Sequence, residues 1–401
     1  MRRKNGVNRE LYPIDGGVCA PNGFSANAVC AGFLPHSNKY DLALIASDKR
    51  CPTAAVYSTS AVVGAPIPVC KRHLKYGVSY GVIINSGIAN VFQENGEDLA
   101  EKVCQMTANL LKVDRADILI ASTGKIEPSL ELKTFENALK NLTSGLESTH
   151  AGSLRAAQAI TTTDKHVKQL SYRFHLGDFP CTIGAIFKGN QRVSPKMATT
   201  LGVITTDVNI SPEMLQRAFS ATARDSFNLL DIDGVASPND MFCIMANGHA
   251  GNCKIEYADS EYKKFCYVLK EVALEICKKI ATEGERGKVL TCRVLGSKSK
   301  QVARSISKKV ATSTELKKAL FENRMDKETL FCAITDVDII DDFSHLNISV
   351  KSEKGKIVFC EEGKMLLISA MLMEKILDAP TIELTIDLVK GNFSSTSISG
   401  I

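Results

Sequence analysis

Along the chain, short apolar runs rich in β-branched residues alternate with windows whose apolar positions recur every three to four residues. This is the patterning of an α/β chain rather than an all-helical or all-β one. The runs predict strands at Leu42–Ala46, Gly81–Asn85, Ile118–Ser122, Thr182–Phe187, Val203–Thr206, Phe242–Ala246 and Val289–Val294, each bounded by turn-forming residues. Leu99, Val103, Met106 and Leu110 share a face of a helical window that begins near Asp98, and Leu269, Val272, Ile276 and Ile280 share one in a later window. Both stripes are expected in the core. Ser211 before Pro212 has the form of an N-cap and first helical position, so a helix carrying Met214 and Leu215 inward is expected there. The polar run from Gly296 to Lys309 is the nearest thing to a linker, and its charges read as a solvated face. From about Ser260 the pattern restarts with more Lys, which puts a domain boundary between Asn252 and Ser260.

Composition narrows this picture. The chain has 401 residues, 44% of them hydrophobic and 23% charged, enough for two or three domains. A net charge of +5 spread over that length is too small to point to nucleic acid, and a small molecule is the expected partner. The 13 cysteines form no CxxC pair and no Cys/His cluster at metal-ligand spacing, so they read as reduced, mostly buried thiols. No apolar run reaches the roughly 18 residues of a membrane span. The opening MRRKNGVNRELYP lacks the apolar stretch of a secretion signal, so a cytoplasmic protein with no membrane partner is expected.

The usual catalytic signatures are missing: GxSxG, the GxxxxGK[ST] phosphate loop, HExxH and a glycine-rich dinucleotide fingerprint. One segment is unusual. FKGNQRVSPKMATTLGVITTD, residues 187–207, joins two predicted strands through a polar turn and places Lys188, Thr199 and Thr200 on or beside it. A threonine hydroxyl needs a base to act as a nucleophile. Cutting the peptide bond before it supplies one, because the new α-amino group has a reference pKa near 8. Ala198–Thr199 would be such a bond. Taken alone, a Thr-Thr pair at a strand start is also simply good β-sheet sequence, and both readings stand at this level.

The sequence resembles the ornithine acetyltransferase (glutamate N-acetyltransferase) family along nearly its whole length, in pieces that occur in the right order. They include GGVCAPNGF at 16–24, DLALIASD at 41–48, PTAAVYST at 52–59, INSGIAN at 84–90, ASTGKI at 121–126 and TTTD at 161–164. TIGAIFKG at 182–189, MATTLGVITTD at 197–207, DSFNLLDIDG at 225–234, ND at 239–240 and MANGHAGN at 245–252 follow. The resemblance implies an α/β fold, a layered α-β-β-α-like sandwich with a smaller C-terminal α/β domain. It also implies self-cleavage between Ala198 and Thr199, giving an α chain (1–198) and a β chain (199–401) that stay together as an α2β2 assembly. Residues 199–255 would complete the catalytic domain and 256–401 form the C-terminal one.

Position by position, the resemblance makes Thr199 the nucleophile and Thr123 and Gly124 the oxyanion hole. Thr162, Lys188 and Thr199 would bind substrate, with Glu283, in preference to Glu285, meeting its amino group. The implied reaction moves the acetyl group of N2-acetyl-L-ornithine to L-glutamate through an acetyl-Thr199 ester, without metal or organic cofactor. Some family members also take acetyl-CoA as donor. Asn85 and Asn90 read as scaffold, holding turns through side-chain to backbone bonds.

Departures from the family pattern lie close to this site. KGNQR at 188–192 stands where the family has KGSGM, DGVASPND at 233–240 where it has DGDTSTND, and ENRMDKETL at 322–330 where it has a Trp-containing motif. The family pattern continues beyond a stretch matched by GNFSSTS at 391–397 into a segment that lends an Asn and a Ser or Thr to the pocket. The sequence ends at Ile401, so those contacts are expected to be missing and substrate binding to be weaker. Two other readings follow: a non-catalytic family relative kept as a binding or regulatory subunit, and an amidase or aminopeptidase that shares the self-cleaving logic.

Overall fold

A computed structural model describes residues 11–34, 37–189, 200–232, 237–285, 287–337 and 343–401. Among these residues the chain forms two compact units, one of residues 11–189, 200–222 and 237–272 and one of residues 223–232 and 273–401.

The first unit carries strands β1 (Tyr12–Pro13), β2 (Phe24–Val29), β3 (Leu42–Tyr57), β4 (Val78–Asn85), β5 (Ile118–Ser122), β6 (Lys168–Leu176), β7 (Phe179–Gly189) and β8 (Thr200–Thr206). With β9 (Leu230–Asp231) assigned to the second unit, β10 (Met241–Ala246) completes its sheet. The order is β1-β6-β7-β8-β10-β3-β4-β5, with β2 also on β3. Among the described strands of this sheet, β8 with β10 and β4 with β5 run parallel and the other pairs antiparallel. The long β3 changes register between Ala46 and Cys51; its first part pairs with β2 and β4, its second with β10, and β4 resumes pairing past the break at Cys51 and Pro52. One strand is thereby shared between two groups of neighbours, and the break falls just before Pro52, where proline is tolerated.

Helices α1 (Pro66–His73), α2 (Gly96–Leu111), α3 (Leu132–Ser144) and α4 (His150–Ile160) pack on this sheet and on one another. Edge strand β5 is partnered by a side chain: the thiol of Cys70 in α1 donates to the Ile120 carbonyl and accepts from the Ile120 N–H. Burial pushes that thiol up to about 12, which leaves it unreactive. All 13 cysteines are free and most are buried, as their spacing suggested.

Helix α5 (Pro212–Arg224) begins as expected, with Ser211 Oγ accepting from the Met214 N–H and with Met214 and Leu215 buried. Helix α6 (Ser260–Ala281) buries Leu269, Val272, Ile276 and Ile280 completely. The stripe in α2 needs correction. Val103 is buried and Leu99 and Met106 are partly so, but Leu110 is 45% exposed. The buried face is centred one step round the helix, on Ala100, Cys104, Thr107 and Ala108, whose small side chains allow close approach.

The second unit adds β11 (Val289–Ser297), α7 (Lys300–Thr312), α8 (Thr314–Phe321), α9 (Lys327–Thr335), β12 (Asn347–Ser352) and β13 (Gly355–Glu361). It ends with β14 (Lys364–Met365), α10 (Ala370–Leu377), β15 (Thr381–Asp387) and β16 (Phe393–Gly400), in the sheet order β14-β13-β12-β15-β11-β16-β9. The segment read as a linker is in fact the end of β11 and a core helix. Val302, Ala303, Ile306 and Val310 recur at helical spacing and are buried, while Lys300 and Arg304 pair with Asp225 from the opposite face. Charge on one face concealed an apolar stripe on the other.

Lys288 is the main polar tie of this unit. Its buried Nζ donates to the Leu320 carbonyl at the end of α8 (3.0 Å), the Leu377 carbonyl at the end of α10 (2.9 Å) and Asn323 Oδ1 (2.6 Å). A cation among helix C-termini satisfies carbonyls that have no partner within their own helices. Lys288→Met leaves them unpaired and is expected to lower stability by roughly 2–3 kcal/mol, read as an earlier midpoint in urea unfolding of the purified chain.

Candidate active site

Lys188 lies near the end of β7, 3% exposed, with its amine between two threonine hydroxyls. Nζ donates to Thr162 Oγ1 at 2.6 Å and to Thr123 Oγ1 at 3.3 Å. Thr123 follows β5, and Thr162 sits in the TTTD turn that ends α4. Residues 123, 162 and 188, far apart in sequence, thus meet around one buried amine.

Each threonine is held from behind. The Thr123 N–H donates to the Asn85 carbonyl (3.0 Å), Ser122 Oγ donates to Asn85 Oδ1 (2.6 Å), and Asn85 Nδ2 donates to the Ile88 carbonyl (2.9 Å). Asn90 Nδ2 donates to the Gly96 carbonyl, so both asparagines act as the scaffold expected of them. With its amide engaged, Thr123 offers its hydroxyl. Because Lys188 donates to that oxygen, the hydroxyl hydrogen is left to point elsewhere. Gly124 is exposed, with φ +135°, and a Cβ there would sit 2.2 Å from the Gly87 carbonyl carbon; only glycine fits this approach.

A second layer of charge lies behind Lys188. The Asp164 carboxylate, fully buried, pairs with Lys168 Nζ (2.8 Å) and accepts from the Gly189 N–H (2.8 Å) and the Thr162 N–H (3.2 Å). Burial alone would raise its pKa, but Lys188, Lys168 and the Gly189 N–H outweigh it and hold the group below the ordinary aspartate value. Burial lowers the pKa of Lys188, with Asp164 and Asp240 opposing. Lys39 donates to the Thr161 carbonyl (2.7 Å), and a cavity of about 330 Å³ is lined by Lys39, Tyr40, Thr161, Asp164 and His166 among others. Asp164 and Lys168 were not singled out from sequence, although TTTD carried the signal for the first.

Across the sheet, Gly189 of β7 faces Thr200 of β8, and Lys188 faces Leu201. The Thr200 N–H donates to Asp240 Oδ1 at 2.6 Å. Ala198 and Thr199 lie outside the described residues. Glu283 belongs to the second unit, where it is fully buried, and Glu285 is exposed. Among the described residues no three His, Cys, Asp or Glu side chains are grouped to hold a metal, and no helix is long and apolar enough to cross a membrane.

Chemically, a buried amine, two hydroxyls and an exposed glycine at a strand end supply hydrogen-bond donors suited to a developing oxyanion. The ArgJ family description matches residues 25–400. The chain belongs to the ArgJ family. Arginine biosynthesis bifunctional protein ArgJ 1 of Clostridium acetobutylicum is 33% identical over 376 residues, 93% of this chain and 91% of that one. The ArgJ protein of Staphylococcus epidermidis is 31% identical over 94% of both chains. Among solved structures, ornithine acetyltransferase of Mycobacterium tuberculosis, crystallised with ornithine, is 26% identical with a TM-score of 0.40, over 43% of this chain and 92% of that one. The α/β class expected from the sequence is the class of this ArgJ family chain.

The buried charges give the site a pH signature. Asp164 titrates lower in the folded chain than in the unfolded one, so its contribution is complete above about pH 4 and is lost as pH falls through its folded-state value. Asp164→Asn removes one member of a buried pair and is expected to cost about 3–5 kcal/mol at neutral pH. The loss should shrink on acidification below about pH 4, measured by denaturant unfolding of both proteins across pH.

Proposed function

We propose that this ArgJ family chain is a self-cleaving acetyltransferase of arginine biosynthesis that moves the acetyl group of N2-acetyl-L-ornithine to L-glutamate. The observation that carries the reading is the convergence of Thr123 and Thr162 on the buried amine of Lys188, beside the strand that opens at Thr200.

Cleavage between Ala198 and Thr199 yields chains of 198 and 203 residues and frees the Thr199 amine. That amine takes the hydroxyl proton as Thr199 Oγ attacks the acetyl carbonyl. The Thr123 hydroxyl and the Gly124 N–H receive the charge on the tetrahedral oxygen; on collapse the Thr199 ammonium returns its proton to the departing nitrogen, so ornithine leaves as the amine and an acetyl ester remains on Thr199. Glutamate enters, its amine attacks the ester, and N-acetylglutamate leaves with the Thr199 hydroxyl restored. Lys188 and Thr162 hold the polar groups of the substrate, and Glu283 meets its amino group. The cleaved chains remain together in an α2β2 assembly, with residues 199–255 completing the catalytic domain and 256–401 forming the C-terminal one. No metal or organic cofactor takes part in this scheme, and acetyl-CoA in place of acetylornithine tests the second donor.

A denaturing gel tests this reading. The purified chain is expected to run as two fragments of similar size, the smaller-numbered one ending at Ala198, and to transfer acetyl from acetylornithine to glutamate. Thr199→Ala is expected to give one band near 43.5 kDa and no transfer. A single band and no transfer from the wild-type chain would instead favour a non-catalytic relative, and peptide hydrolysis without transfer an aminopeptidase.

A further inference from the structure

Two consecutive side chains at the head of β10 reach opposite sides of the site. Asn239 Nδ2 donates to the Ser122 carbonyl at 2.9 Å and to the Ala89 carbonyl at 2.6 Å. The first of these closes the strand end that presents Thr123 and Gly124. The neighbouring Asp240, 1% exposed, accepts the Thr200 N–H on Oδ1, and its own carbonyl accepts from the Ser58 N–H at 2.9 Å. Its Oδ2 is buried and has no hydrogen-bond partner among the described residues. One dipeptide is therefore tied by side chains to β5 on one side and to the start of β8 on the other.

We propose that Asn239 and Asp240 are a positioning pair for acyl transfer: Asn239 sets the strand end carrying Thr123 and Gly124, and Asp240 sets the Thr200 amide and so the aim of Thr199. The inference rests on the function proposed above and deepens it.

The physical reason is registration. The nucleophile and the oxyanion donors come from strands that do not pair with each other; β8 and β5 are separated in the sheet by β10, β3 and β4. Ladder bonds alone would let small errors accumulate over that distance, whereas a rigid two-residue bridge from β10 fixes both ends to one backbone segment. The bridge needs only an acceptor at position 240, not a charge. Consistent with that, burial pushes the Asp240 carboxyl well above the usual carboxylate range, the Thr200 N–H and Lys188 opposing.

The full-length chain carrying Asp240→Asn or Asp240→Ala tests the proposal through the rate of self-cleavage and through kcat and KM for acetyl transfer from N2-acetyl-L-ornithine to L-glutamate. Asp240→Ala is expected to slow cleavage and to lower kcat by roughly 100-fold with little change in KM, the cost of a misplaced nucleophile. Asp240→Asn keeps an acceptor for the Thr200 N–H and is expected to recover most of that rate. Wild-type kcat in Asp240→Ala overturns the inference. So does a folded Asp240→Asn whose kcat falls roughly 100-fold below wild type, because the ionised carboxylate would then be what matters; this arm is read against wild type and decides even if Asp240→Ala does not fold. A wild-type chain that neither cleaves nor transfers fails the functional reading itself, an outcome distinct from either.

Discussion

A lysine amine buried at the end of β7 is the constraint around which the first unit is arranged. An ammonium removed from water must be given acceptors and opposite charge or it gives up its proton, and at Lys188 both are supplied. The acceptors are the hydroxyls of Thr123 and Thr162, and the opposing charge is Asp164, itself held by Lys168 and by the Gly189 N–H. Meeting that demand obliges β5, the turn after α4 and β7 to converge. The same convergence gathers two hydroxyls around one buried amine, so the group that would otherwise destabilise the interior defines the site.

What lies beside that cluster is equally dependent on backbone geometry. Gly124 follows Thr123 in a left-handed conformation against Gly87, where any side chain would collide with the neighbouring backbone. On the other side, β8 starts opposite Gly189, one pairing step beyond Lys188. Parallel pairing of β8 with β10 then brings Asp240 to the Thr200 amide. The site is thus assembled from strand ends, as is common where a rigid sheet presents reactive groups through short connections.

Much of this was legible in the sequence, unevenly and for physical reasons. Strand β5 was read with the bounds it has, because five consecutive buried residues between Asp117 and Thr123 leave little choice. Strand β3 was underestimated, since the pattern breaks at Asp48, Lys49 and Arg50, where the strand is exposed yet continues. Helix α7 reads as a linker because its lysines and serines, together with Gln301 and Arg304, outnumber a narrow apolar stripe. In the site, Thr123, Thr162 and Lys188 were marked by the order and spacing of short motifs, which survive in one dimension. Asp164 and Asp240 lie in the TTTD and ND motifs, yet the role of an acid depends on which amine or amide faces it, and only the folded chain supplies that.

The proposed role of the Lys188 cluster in acyl transfer at Thr199 is open to intact-mass analysis of the chain mixed briefly with N2-acetyl-L-ornithine in the absence of glutamate. Wild-type protein is expected to gain one acetyl group on the fragment that starts at Thr199, and Lys188→Met, cleaved or not, to gain none. Equal acetylation of Thr199 in Lys188→Met, or acetylation elsewhere in the wild-type chain only, would contradict the account.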